Sequence, residues 1–191
     1  MGKLIKHCDL LYADLFDPRT CKEFAATPRD AVEALCDLMD FTPIIWEPAC
    51  GRGHIAEVLM ERGYDVIASD LYDWGYGIPK VDIFQQVNEI PYDIVTNPPE
   101  DCNKEFIEKA IDLVADGRKV AMFMKLALLQ GARRERLYSV YPPKHIYVGK
   151  NRYCCPVNGD FASRHPRKDG FPHMWAVWEK GYNGPTTMTW F

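Results

Sequence analysis

Residues 44–70 constrain the fold of this chain more than any other segment. Ile44-Ile45-Trp46 is a short apolar run that reads as a buried strand, and it leads straight into Glu47-Pro48-Ala49-Cys50-Gly51-Arg52-Gly53. Ile55, Ala56, Val58, Leu59 and Met60 then mark a helix, which Gly63 stops. Tyr64-Asp65-Val66-Ile67-Ala68-Ser69 reads as a second strand that ends at Asp70. Strand, glycine loop, helix, strand and acid form one βαβ unit.

The loop in this unit has its own chemistry. Glycine allows positive φ and close backbone approach, so Gly51 and Gly53 suit a tight turn under a nucleotide-like ligand. Asp70, at the end of the next strand, is placed to accept hydrogen bonds from ribose hydroxyls. The loop is not Gly-x-Gly-x-x-Gly, because position 56 is Ala, and it opens on an acid, Glu47. A carboxylate there repels a pyrophosphate and attracts an ammonium group. That shifts the expected ligand from NAD to S-adenosylmethionine, whose methionine end carries such a group.

The rest of the chain fits around this unit. Thr27-Pro28 opens a helix, with Thr27 as expected N-cap, Pro28 in the first turn and Asp30 near the positive end. Ala31, Val32, Leu35, Leu38 and Met39 recur at helical spacing. Val81-Asp82-Ile83-Phe84 reads as a short third strand and Tyr92-Asp93-Ile94-Val95-Thr96 as a fourth. A helix follows with Phe106, Ile107, Ala110, Ile111 and Val114 on one side, closed by Gly117. Lys119 to Leu126 is a fifth strand, and residues 126–138 are mixed loop and helix. His145 to Val148 and Met174 to Trp178 are two late strands that suggest a hairpin closing the sheet edge, with a polar excursion over 149–173 between them. Leu10-Leu11-Tyr12 and Leu15-Phe16 are expected to cover an edge of the core. The pattern predicts a single-domain α/β fold with a largely parallel sheet, and ligands in such sheets bind beyond the carboxyl ends of the strands.

Asn97-Pro98-Pro99 falls at one of those ends. Two prolines fix φ and lack N–H groups, and Pro98 pushes Asn97 towards an extended conformation. The Asn97 side-chain oxygen and the Pro98 carbonyl can then both accept from one –NH₂ group. Such a clamp works by positioning and needs no covalent nucleophile or metal.

These residues carry a family resemblance. Over about residues 24–181 the chain resembles the amino-group DNA methyltransferases, and more closely small phage and prophage adenine methyltransferases. The matching segments are Ala26-Thr27-Pro28, Trp46 to Gly53, Ala68-Ser69-Asp70-Leu71, Val81-Asp82-Ile83-Phe84 and Thr96-Asn97-Pro98-Pro99. The resemblance implies a Rossmann-like methyltransferase fold: a seven-stranded sheet with one antiparallel strand and helices on both faces. It implies a cofactor site for S-adenosylmethionine at Thr27, Pro28, Glu47, Pro48, Ala49, Cys50, Gly51, Gly53, Asp70, Leu71, Asp82, Ile83 and Asn97. In it Thr27 and Pro28 touch the methionine end, Asp70 the ribose and Asp82 the adenine amino group. Asn97, Pro98, Pro99 and Glu100 form the catalytic loop that holds the target amine. The family motif ends in an aromatic residue that stacks on a target base rotated out of the duplex, and position 100 is Glu. Phe106, Tyr153, Phe161 or Phe171 could stand in for it. The expected reaction is methylation of the adenine amino group in DNA. Alternatives are another amine (cytosine, an RNA base or a protein glutamine), or a nucleic-acid-binding module without activity.

Charge agrees with an anionic partner. Residues 1–100 carry 8 basic and 18 acidic side chains, and residues 101–191 carry 15 and 9. Within 130–170 the basic residues include Arg133, Arg134, Arg136, Lys150, Arg152, Arg164, Arg167 and Lys168, interleaved with Tyr138, Tyr141, Tyr147, Tyr153 and Phe161. Cations for phosphates and rings for bases suit DNA, or RNA, so the excursion over 149–173 is an expected target-contacting loop. The chain of 191 residues, 47% hydrophobic, has material for one core. It has neither an apolar run long enough to span a membrane nor the pattern of a signal peptide, so no membrane partner is expected. Seven irregularly spaced cysteines fit free thiols in a reducing cytoplasm, bacterial or of a phage-infected host. Cys154-Cys155 with His165 and His173 invites a zinc reading, but adjacent cysteines rarely share one ion, and no metal is expected.

Overall fold

The computed structural model describes residues 24–163 and 170–191. The expected edge-covering residues of 10–16, together with Arg164, His165, Arg167 and Lys168, lie outside them, as does the side chain of Arg133.

The described residues form eight strands and four α-helices. The strands are β1 (Ile44–Glu47), β2 (Asp65–Asp70), β3 (Ile78–Pro79), β4 (Asp93–Thr96), β5 (Lys119–Lys125), β6 (His145–Tyr153), β7 (Phe171–Glu179) and β8 (Thr187–Trp190). The helices are α1 (Arg29–Leu38), α2 (His54–Glu61), α3 (Asn103–Leu113) and α4 (Ala132–Val140). The strands form one sheet in the order β3-β2-β1-β4-β5-β7-β6-β8. Only β7 runs antiparallel to its neighbours, β5 and β6. This is the expected α/β class, with eight strands where seven were expected.

The sheet separates two apolar layers. On one face Ala31, Val32 and Leu35 of α1 and Ile55, Val58 and Leu59 of α2 pack with Ile45, Val95, Phe123 and Trp175. On the other, Phe106, Ile107, Ala110 and Ile111 of α3 and Leu137 of α4 pack with Trp46, Ile94, Met122 and Trp178. The helical spacing read from the sequence selected the buried residues of α1, α2 and α3, but it also picked Met60, which is exposed, and did not mark Leu137. Deep tryptophans keep their N–H groups paired, as buried donors must: Trp46 donates to Ser69 Oγ at 2.8 Å and Trp175 to Ala31 O at 2.8 Å. Asp93, buried at the foot of β4, accepts from the backbone N–H groups of Thr42 and Lys119 at 2.8 and 2.7 Å, tying three chain segments together.

Several elements depart from expectation. Val81 to Phe84 is not a strand: Ile83–Gln85 is a 3-10 turn, and the parallel bridge to β2 falls earlier, at Ile78–Pro79. The cause is Asp82, whose carboxylate accepts from Phe84 N at 2.9 Å and caps the turn locally. The N-cap position of α1 is Pro28, not Thr27. The Thr27 hydroxyl faces Asn97 instead. α3 stops at Leu113, four residues before Gly117. The β6–β7 hairpin does not close the sheet, because β8 pairs in parallel outside β6, His145 against Thr187 through Val148 against Trp190. The excursion is also shorter than expected, since β6 reaches Tyr153 and β7 begins at Phe171.

Candidate functional site

β1, β2, β4 and β5 are parallel, so their carboxyl ends share one edge of the sheet. The glycine loop leaves the end of β1, Asp70 ends β2, Asn97-Pro98-Pro99 leaves the end of β4 and Lys125 ends β5.

The glycine loop needs its glycines. Gly51 and Gly53 have φ of +52° and +84°, a left-handed backbone that side chains rarely adopt. A Cβ at Gly53 would lie 2.3 Å from the Tyr76 ring, and one at Gly51 would lie 2.7 Å from Phe24. The loop is pinned from β2. Asp70 accepts from Gly51 N and Tyr72 N, each at 2.9 Å, and from the Trp74 indole, while Cys50 N donates to Ser69 O at 3.0 Å. Burial raises the Asp70 carboxyl above the ordinary range, against those hydrogen bonds. Burial likewise pushes the Cys50 thiol up to about 12.

Glu47 is the most unusual group in the loop. It is buried, accepts from the backbone N–H of Ala56, and has Oε2 with no hydrogen-bond partner. Burial holds its carboxyl well above the ordinary range, with the nearby Asp70 charge acting in the same direction. A buried carboxyl oxygen without a partner fits a missing cationic ligand, whose charge would favour the ionised form that burial alone opposes.

This leads to a pH prediction. The folded chain keeps a proton on Glu47 that the unfolded chain gives up above the ordinary carboxylate value. Its contribution to stability is therefore full below that value and is lost as pH rises. Glu47→Gln should melt about 2–8 °C higher than the natural chain at pH 8. Melts from pH 5 to 9 should show a shallower decline for the variant, and parallel slopes would refute a buried titrating carboxyl.

The Asn97 loop is held from the N-terminal side. Asn97 Nδ2 donates to Ala25 O and Thr27 Oγ1, each at 3.1 Å. Both amide hydrogens thus have acceptors, and the side chain offers its oxygen to any further partner. Beyond the prolines, Asn103 Nδ2 donates to Glu100 O at 2.9 Å and starts α3. Both Glu100 oxygens meet Lys125 Nζ, at 2.6 and 2.8 Å.

The structure sorts the aromatic candidates. Phe106 is buried edge-on against Phe84, and Tyr153 is buried against Phe123 and Phe191, so neither can face an acceptor. Phe161 lines a cleft of about 450 Å³ with Thr27, Pro28, His54 and Glu57. Phe171 is exposed beneath Lys125, whose Nζ stands 5.2 Å from the ring centre.

The basic residues divide between elements. Arg134 and Arg136 are on α4, and Lys150 and Arg152 on the last residues of β6. The described start of the excursion folds back on the glycine loop. Ala26 N donates to Pro156 O, Asn158 N to Phe24 O and Arg52 to Asn158 O. Cys155 Sγ lies 3.6 Å from His173 Nε2, and among the described residues no group of three or more His, Cys, Asp or Glu side chains is placed to hold a metal ion. No described helix is long and apolar enough to cross a membrane.

Sequence patterning did not point to Lys125, Phe24, Tyr76 or the Ala25 carbonyl. For Lys125 the available signal was a cation at the carboxyl end of a buried strand.

The fold is that of the Rossmann-like S-adenosylmethionine-dependent methyltransferases. Comparison by sequence finds no matching family model and no matching curated protein. Among solved structures, the chain is similar to a protein assigned as a modification subunit of a type I restriction enzyme from Vibrio vulnificus YJ016. The TM-score is 0.62 at 13% identity, covering 95% of this chain and 50% of that one. It is similar to a protein from Listeria monocytogenes assigned as a class I S-adenosylmethionine-dependent methyltransferase, with a TM-score of 0.60 at 12% identity, covering 87% and 65%. It is also similar to the type IIG restriction endonuclease BpuSI, with a TM-score of 0.63 at 16% identity, covering 92% and 28%. The chain therefore spans from about a quarter to just under two thirds of the length of these structures.

Proposed function

We propose that this chain methylates the exocyclic amino group of adenine in DNA, with S-adenosylmethionine as methyl donor. The observation that carries the reading is the orientation of Asn97: both amide hydrogens are engaged by Ala25 and Thr27, which leaves Oδ1 to accept from a further partner. Two acceptors at the end of a rigid strand suit an –NH₂ group. Two of the similar structures are assigned as a modification subunit of a type I restriction enzyme and as a type IIG restriction endonuclease, which supports DNA as the acceptor.

The chain's residues fit the cofactor. Glu47 Oε2 is a buried oxygen without a partner, Gly51 and Gly53 take the positive φ of a tight turn at the end of β1, and Asp70 ends the adjoining strand. Thr27, Pro28, Pro48, Ala49, Cys50, Leu71, Asp82 and Ile83 complete the proposed cofactor side. When bound, the cofactor supplies an electrophilic sulfonium methyl. The protein's own work is positional. Asn97 Oδ1 and the Pro98 carbonyl accept from the amine and aim its lone pair. They also stabilise the positive charge that grows on nitrogen, and Pro99 keeps the loop rigid. Glu100 adds negative charge one residue beyond the clamp. Arg134, Arg136, Lys150 and Arg152 are proposed to meet the phosphate backbone.

The test is transfer of a tritiated methyl group to DNA, RNA and protein pools, followed by nucleoside mass spectrometry. Label in DNA as methyladenine is expected. Label only in protein overturns the DNA reading, and methylcytosine moves the target to the other amino base. The Glu100–Lys125 pair, standing where the family motif has an aromatic, is the one observation that favours a different acceptor.

A further inference from the structure

Glu100 and Lys125 make an ion pair that the fold does not require. Their side chains are 60% and 37% exposed, and an exposed pair of this kind contributes little to stability. The pair nonetheless occupies a functional position. Glu100 follows the Asn97-Pro98-Pro99 clamp directly, and Lys125 is the last residue of the neighbouring parallel strand. Lys125 Nζ also stands over Phe171, a ring left 56% exposed at the start of β7. An anion binder, its counter-ion and a half-exposed aromatic ring thus lie together at the proposed acceptor side.

We propose that Lys125 is a phosphate ligand for the acceptor nucleic acid and that Glu100 is its resident counter-ion. A phosphodiester displaces the Glu100 carboxylate from the ammonium group. Lys125 then leaves the Phe171 ring, and that face is uncovered for a base. The exchange is energetically easy because an exposed carboxylate holds Lys125 weakly, whereas a phosphate contact also releases condensed counterions from the nucleic acid. A base can then use the same ring face, since every base has a π surface. This inference rests on the reading that the acceptor is a nucleic acid.

The experiment is fluorescence anisotropy of the full chain with labelled single-stranded and duplex DNA, titrated with sodium chloride. Lys125→Met should weaken binding and reduce the slope of log affinity against log salt by about 0.7 on single strands and about 0.9 on duplex. Lys125→Arg should restore that slope. Glu100→Gln should bind about two- to fivefold more tightly. That gain should vanish in the Lys125→Met background, which separates loss of a counter-ion from general loss of negative charge. Phe171→Ala should weaken binding with the salt slope unchanged. An unchanged slope in Lys125→Met, or an equal gain from Glu100→Gln in both backgrounds, overturns the proposal while leaving nucleic-acid binding intact. Absence of any binding by the natural chain overturns the nucleic-acid reading and this inference together.

Discussion

Asn97→Ala is expected to lower methyl transfer by at least about 100-fold, the scale of misplacing a reacting group that catalysis only positions. The fold should survive, because the substitution removes two hydrogen bonds at about 3.1 Å from a half-buried site, a loss of about 1–2 kcal/mol. Cofactor affinity should fall far less than turnover, since the glycine loop, Glu47 and Asp70 are untouched. Asn97→Asp is the informative companion. It keeps an acceptor oxygen but loses both donors and places a negative charge against the Ala25 carbonyl. It should also be impaired, showing that orientation of the amide matters and not merely an oxygen at that position. Rates from tritiated methyl transfer, with cofactor affinity from calorimetry, separate these effects. More than a tenth of natural activity in Asn97→Ala would remove Asn97 from the clamp.

Asp70→Ala is expected to have the largest effect on the fold of the site. Its carboxylate is the acceptor for Gly51 N, Tyr72 N and the Trp74 indole, so its loss leaves donors unpaired around the glycine loop. A destabilisation of about 3 kcal/mol follows, or a fall of about 6–12 °C in melting temperature for a chain of this size. Cofactor-induced thermal stabilisation should vanish with it. Asp70→Asn keeps one acceptor and should fall between the two. Melting within about 2 °C of the natural chain would show that the loop holds without this carboxylate.

Legibility in the sequence followed how local each signal was. The βαβ unit was readable because its parts are contiguous: an apolar strand, two glycines, a helix at 3.6-residue spacing and a terminal acid. The core helices were readable for the same reason, and Ala31, Val32, Leu35, Phe106, Ile107 and Ala110 are all buried. Val81 to Phe84 misled because its alternation resembles a strand while the Asp82 carboxylate caps a turn two residues on. β8 was missed because the Thr-Met-Thr-Trp alternation runs for only four residues and its pairing with His145 to Val148 is non-local. Thr27 was a plausible helix cap by its position, and only Asn97, 70 residues away, explains where its hydroxyl points.

The sequence by itself determined the fold class and the two loops at strand ends, because short-range apolar periodicity, glycine and proline act through local backbone geometry. Tertiary structure alone decided what those loops present. It decided that the Asn97 amide is held by Ala25 and Thr27, that Glu47 keeps an unpaired oxygen in the core, and that Glu100 meets Lys125 over Phe171. Each of these is a contact between distant segments, and its partner is chosen by sheet order and register, which no local pattern encodes.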